Sequence, residues 1–176
     1  MSSTFILTLL ASLGLAVLGC AGTATEDAAS ANPFFAESSL PFALPPFDQI
    51  DDAHYRPAFE RGMADQLVEI EAIANTADTP TFENTVVQME RSGRLLTRVA
   101  NVFFGLTSAD TNDVLDAIEA EIAPTLSAHN DQILLNDTLF ARFKTLYDEP
   151  DGLDLDAEAR RLVTEHRFAI VQGVAN

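Results

Sequence analysis

Residues 51–74 read DDAHYRPAFERGMADQLVEIEAIA, and this stretch decides the fold. Phe59, Met63, Leu67, Ile70 and Ile73 recur at steps of three and four, the period of a helix with one buried stripe. Asp51 or Asp52 stands where a helix N-cap is needed, and Pro57 falls in the early turns, where a missing N–H costs nothing.

Toward the C-terminus the same period continues. Thr79 is placed to cap a second helix, with Pro80 at its first position and Phe82, Val86 and Met89 following; Ser92-Gly93 bends or breaks it. Leu95, Leu96, Val99, Val102, Phe103 and Leu106 form a third apolar face ending near Ser108. Asp110-Thr111-Asn112 then caps a long helix carrying Leu115, Ile118, Ile122, Leu126 and Ile133, kinked at Pro124. A fifth helix follows Asn136 with Leu139, Phe140, Phe143, Leu146 and Tyr147 inward. After the turn Pro150-Asp151-Gly152 a sixth starts near Asp156, with Ala159, Leu162, Val163, His166 and Ile170 on one face. No convincing two-residue alternation appears, so the class is all-α.

Toward the N-terminus the pattern changes twice. Residues 32–50 begin NPFFAESSLPFALPPF, where Pro33, Pro41, Pro45 and Pro46 forbid a helix and predict an extended arm. Its phenylalanines Phe34, Phe35, Phe42 and Phe47 would leave a large apolar patch if free, so the arm is expected to lie over a groove of its own protein. Residues 20–31, rich in Ala, Thr and Ser, read as a flexible tether. Residues 1–19 read as a signal peptide: the run FILTLLASLGLAVLG at 5–19 is too short for the roughly 20 apolar residues of a spanning helix. It ends Val17-Leu18-Gly19-Cys20, which resembles the lipobox of bacterial lipoproteins, so Cys20 is the candidate lipidation site. The n-region MSST has no basic residue, and Val17 stands where Leu is commoner; an ordinary, non-lipidated signal is the alternative. Cys20 is the one cysteine, which rules out an intrachain disulfide.

Composition excludes some functions. Ten Lys and Arg stand against 27 Asp and Glu, a formal charge of −17, and no basic residue precedes Arg56. Nucleic acid is thereby disfavoured, since phosphate binding needs clustered cations.

The blocks HYRPAFERGMADQLVEIEAIA (54–74), PTFENTVVQMERSGRLLTRVANVFF (80–104) and TNDVLDAIEAEIAPTLSAHNDQILLN (111–136), together with the arm, resemble the thimet oligopeptidase family of zinc metallopeptidases, its bacterial peptidyl-dipeptidase branch in particular. The resemblance spans about residues 32–175. It implies the helical N-terminal lobe of a peptidase that cuts short peptides, so residues 51–176 are read as that lobe, truncated before the catalytic domain. It also implies zinc in the full-length family. Such a site needs two histidines four apart on a helix with a glutamate between them, and His54, His129 and His166 lack that spacing. No catalytic, cofactor-binding or metal-ligating residue is therefore assigned to this chain, and each histidine is read structurally. The pairs Glu119/Glu121 and Asp154/Asp156 sit two apart, which on a helix points them to different faces, and the second pair stands in a turn or cap context, so neither forms an acid-base dyad.

The expected partners are short peptides in the full-length enzyme, the missing catalytic lobe, and a membrane through Cys20. The expected location is exported, periplasmic or anchored in the outer membrane of a Gram-negative bacterium. The alternative function is a lipid-anchored helical module that binds peptides or proteins without catalysis.

Overall fold

A computed structural model of the chain describes residues 32–148 and 155–175, with side chains as far as His166. The described residues are helical and irregular, with no strand among them, as the 3.6-residue period requires. The helices are α1 (Tyr55–Ala74), α2 (Gln88–Arg91), α3 (Arg94–Ala109), α4 (Asp113–Leu134), α5 (Asp137–Asp148) and α6 (Ala157–Ala175).

Local chemistry sets their starts. The Asp51 N–H donates to Nδ1 of His54 at 2.9 Å, closing a 3₁₀ turn (Asp52–His54) that leads into α1. The second helical segment does not start at Thr79 as expected. Thr81 is the cap: its Oγ1 accepts the Asn84 N–H at 3.1 Å, while Asn84 Oδ1 accepts the Thr81 N–H at 2.8 Å. This reciprocal pair outcompetes the Thr79-Pro80 signal and opens a π-helical turn (Phe82–Val87) that runs into α2. Gly93, at φ +68°, reverses the chain after Ser92. Asn112 Oδ1 accepts the N–H groups of Val114 and Leu115 at the head of α4, Asn136 accepts Leu139, and Asp156 accepts Ala159. Helix α4 continues across Pro124, whose position is exposed; water can reach the Ala120 carbonyl that proline leaves without a donor.

Two apolar clusters share α1 and α4. One gathers Phe34, Tyr55, Phe59 and Met63 with Leu96, Val99 and Phe103 of α3 and Leu115, Ile118 and Ile122 of α4. Its rings meet edge to face, Phe59 on Phe103 at 5.3 Å and Tyr55 on Phe103 at 5.0 Å. The other joins Ile70, Ile73 and Val86 to Ile133, to Leu139, Phe143 and Leu146 of α5, and to Val163 of α6. Tyr147, expected inward, is 38% exposed, because Leu146 takes the buried position on that turn. Gly62 lets α1 and α3 touch: a Cβ there would stand 2.9 Å from the Leu96 Cα and N.

The arm is only partly what its prolines suggest. A 3₁₀ turn, Pro33–Phe35, and a tight turn at Pro41–Ala43, whose Phe42 and Ala43 take positive φ, interrupt the extended backbone, each starting on a proline. Phe34 is buried against Tyr55 and Phe35 lies under the Arg61 guanidinium at 4.4 Å. The Asn32 amide donates to the His54 carbonyl, and Arg98 donates to that of Phe34. Phe42 and Phe47 do not follow: they are 95% and 61% exposed, so the expectation that all four rings cover a groove fails for the second half.

Candidate functional site

The lipidation candidate Cys20, the signal and tether, the turn at 150–152 and Asp154 lie outside the described residues. The described candidates are dispersed, each tied into its own neighbourhood. His54 serves the start of α1. His129 is buried on α4, and its ring Nε2 meets the Gln66 amide oxygen of α1 at 2.7 Å while Nδ1 has no hydrogen-bond partner. Burial holds its pKa below the ordinary imidazole value. Facing an amide oxygen, Nε2 is the ring nitrogen placed to donate. His166 of α6 places Nε2 2.6 Å from a Glu90 carboxylate oxygen, with its ring beside Phe143.

Among the described residues no three His, Cys, Asp or Glu side chains gather closely enough to hold a metal ion. The donors among the described residues do not fit the zinc that the family resemblance implies.

The Glu119/Glu121 pair divides as its spacing suggests. Glu121 is clasped by Arg56, whose Nη2 donates at 2.6 Å, and the hydrogen bond holds its carboxyl below the usual range. Glu119 is half-buried on another face, and Asp156 caps α6.

Two polar constructions were not foreseen. Gln66 and His129 sit between the two apolar clusters, and beside them the Gly93 N–H donates to Glu69 at 2.7 Å. Arg142 is buried and donates to the carbonyls of Thr76 and Asp78, to Asn84 Oδ1 and to Thr85 Oγ1. Desolvation pulls its pKa down and the nearby Asp78 opposes the change. The one sequence signal for Arg142 is its place at the third step from Leu139, on the buried face of α5.

The described residues carry open hollows on their surface. One of about 470 Å³ lies between α1 and the π-helical turn, lined by Glu69, Ile73, Thr76, Glu83, Asn84 and Arg91 among others. A second, of about 350 Å³, runs beside the arm and is lined by Pro45, Phe47, Asn101, Val102, Gly105 and Leu106, with Ala109 at its end. In the same arm Leu40, Phe42 and Leu44 stand exposed. Among the described residues no helix is long and apolar enough to cross a membrane.

No protein-family model matches the chain. It is 46% identical over 134 residues to the dipeptidyl carboxypeptidase of Salmonella typhimurium, and 46% identical over 132 residues to that of Escherichia coli. These matches take in 76% and 75% of the chain, but only 20% and 19% of the relatives, so the chain spans about a fifth of their length. Identity at this level over three quarters of the chain supports a peptidyl-dipeptidase family.

Proposed function

We propose that this chain is the N-terminal, non-catalytic helical lobe of an exported zinc metallopeptidase of the peptidyl-dipeptidase type. The observation that carries the reading is the 46% identity to two dipeptidyl carboxypeptidases across a region that is one fifth of each. A region of that share can shape and support a peptide channel while the reacting groups lie elsewhere in the polypeptide. The dispersal of His54, His129 and His166, each with its own hydrogen-bonding task, agrees with a supporting role. Zinc and the short peptide substrates belong, in this reading, to the whole enzyme. Export through residues 1–19 and a lipid on Cys20, holding the lobe at a Gram-negative membrane, are proposed from the apolar run that ends in Gly19-Cys20.

The test is a chimera in which the matched segment of the Escherichia coli relative is replaced by that of this chain. Bound zinc and dipeptide release are measured on the chimera and on the isolated 176-residue chain. The chimera should release dipeptides and carry zinc, and the isolated chain should do neither. Zinc-dependent cleavage by the isolated chain, or a folded chimera without activity, would overturn the proposal.

A further inference from the structure

We infer that Leu40, Phe42, Leu44 and Phe47 of the arm, with the hollow that Phe47 lines against α3, form the surface on which the remainder of a longer dipeptidyl-carboxypeptidase-like polypeptide docks; the inference rests on the function proposed above. Three observations converge on this patch. First, the exposed side chains are large and apolar, at 44%, 95%, 53% and 61% exposure in that order. Residues 38–47 carry no charge, although the chain as a whole carries −17. Water-facing segments of so acidic a protein have no reason to be apolar unless something covers them.

Second, the backbone is held in a conformation that its residues disfavour. Phe42 and Ala43 take φ values of +59° and +53°, the left-handed region in which a Cβ crowds the following carbonyl. Hydrogen bonds from Ala43 N–H to Leu40 O, from Leu44 N–H to Pro41 O and from Ser38 Oγ to Leu44 O hold the turn. The turn presents Phe42 almost wholly outward, and packing within the described chain gains nothing from that. Strain kept at an outward-pointing aromatic is typical of a contact residue.

Third, the patch has the wrong size for two free molecules. With about 200 Å² for an open phenylalanine, the four side chains present on the order of 500 Å². A stable interface between separate proteins needs roughly 800 Å² a side. A smaller contact suffices when both surfaces belong to one polypeptide, because the linkage supplies a high effective concentration. The relatives are about five times longer than their matched region, so most of such a polypeptide lies outside it.

The test is hydrogen exchange at the amides of residues 39–47, compared between the isolated 176-residue chain and the chimera described above, each with and without Phe42→Ser plus Phe47→Ser. In the chimera these amides should exchange at least about tenfold more slowly than in the isolated chain. The double substitution should abolish that protection while the amides of α1 and α3 stay protected. Equal exchange in the two unsubstituted proteins would overturn the inference, as would an isolated chain that sediments as a dimer dissociated by Phe42→Ser, which would make a second copy the occupant. Dipeptide release by the chimera reports separately on the proposed function: an active chimera with an unprotected arm sinks the docking surface alone, and an inactive one with a protected arm sinks the peptidase reading while upholding the docking.

Discussion

Gly62 is where one missing methyl group sets a helix–helix distance. A Cβ at this position would lie 2.9 Å from backbone atoms of Leu96, which cannot turn aside as the end of a side chain could. Gly62→Ala should therefore cost about 1–3 kcal/mol, the usual range for overpacking, despite alanine's better helix propensity. Urea unfolding reads the loss directly, and an unchanged midpoint would mean that α1 and α3 separate without cost. His129 is a second such position, and its effect depends on pH. Burial lowers its folded pKa below the ordinary 6.5. Under acidification through 6.5 the unfolded chain takes up a proton that the folded chain resists. Stability contributed at this position is thus complete above 6.5, falls as the pH drops toward the lower folded value, and then levels off. His129→Gln should flatten that part of the stability curve. Unfolding midpoints of both proteins at several pH values between 7 and 5 check it, and parallel curves would show that the imidazole contributes nothing.

At the scale of elements, the polar staple of Arg142 joins α5 both to the segment after α1 and to the π-helical turn. Its guanidinium meets four acceptors spread over Thr76, Asp78, Asn84 and Thr85, a fan that a planar fork can serve and a point charge cannot. Arg142→Lys should cost about 2–3 kcal/mol, the range for losing charge-assisted hydrogen bonds at a buried site. It should also speed amide exchange at residues 76–85 more than in α3; uniform exchange would deny the staple. The elements themselves were largely readable beforehand. Stripes such as Phe59–Met63–Ile70–Ile73 give period, face and type at once, and Asn112, Asn136 and Asp156 stand at helix starts as their short polar side chains prefer. Boundaries failed where two signals competed. Thr79-Pro80 looks like a helix start, but only the structure shows that Asn84 answers Thr81 instead. Tyr147 failed for a related reason: Leu146 and Tyr147 are both apolar enough for the core, and the sequence does not say which faces it.

For the whole molecule, legibility divides along the arm. The first half could be read, since Phe34 must bury and does; the second half could not, because no residue type announces the positive φ of Phe42 and Ala43. The paired roles of Gln66 with His129 and of Arg142 with its loop were not legible, because they depend on contacts more than 50 residues apart in sequence. Charge, by contrast, is visible from composition and acts on the entire fold. With 27 acidic residues against 10 basic ones, the folded chain holds many more carboxylates than cations that could pair with them. The exposed pairs Arg56–Glu121, Arg61–Asp65 and Arg161–Glu158 offset little of this, since each is open to water and screened by salt. Added salt weakens the few attractions and the many repulsions together, and the repulsions prevail when the net charge is −17. The melting temperature should therefore rise by several degrees as sodium chloride goes from about 10 to 150 mM, over which the Debye length shrinks from about 30 to 8 Å. A thermal melt by circular dichroism at neutral pH measures it, and a fall in melting temperature over this range would mean that the ion pairs outweigh the net charge.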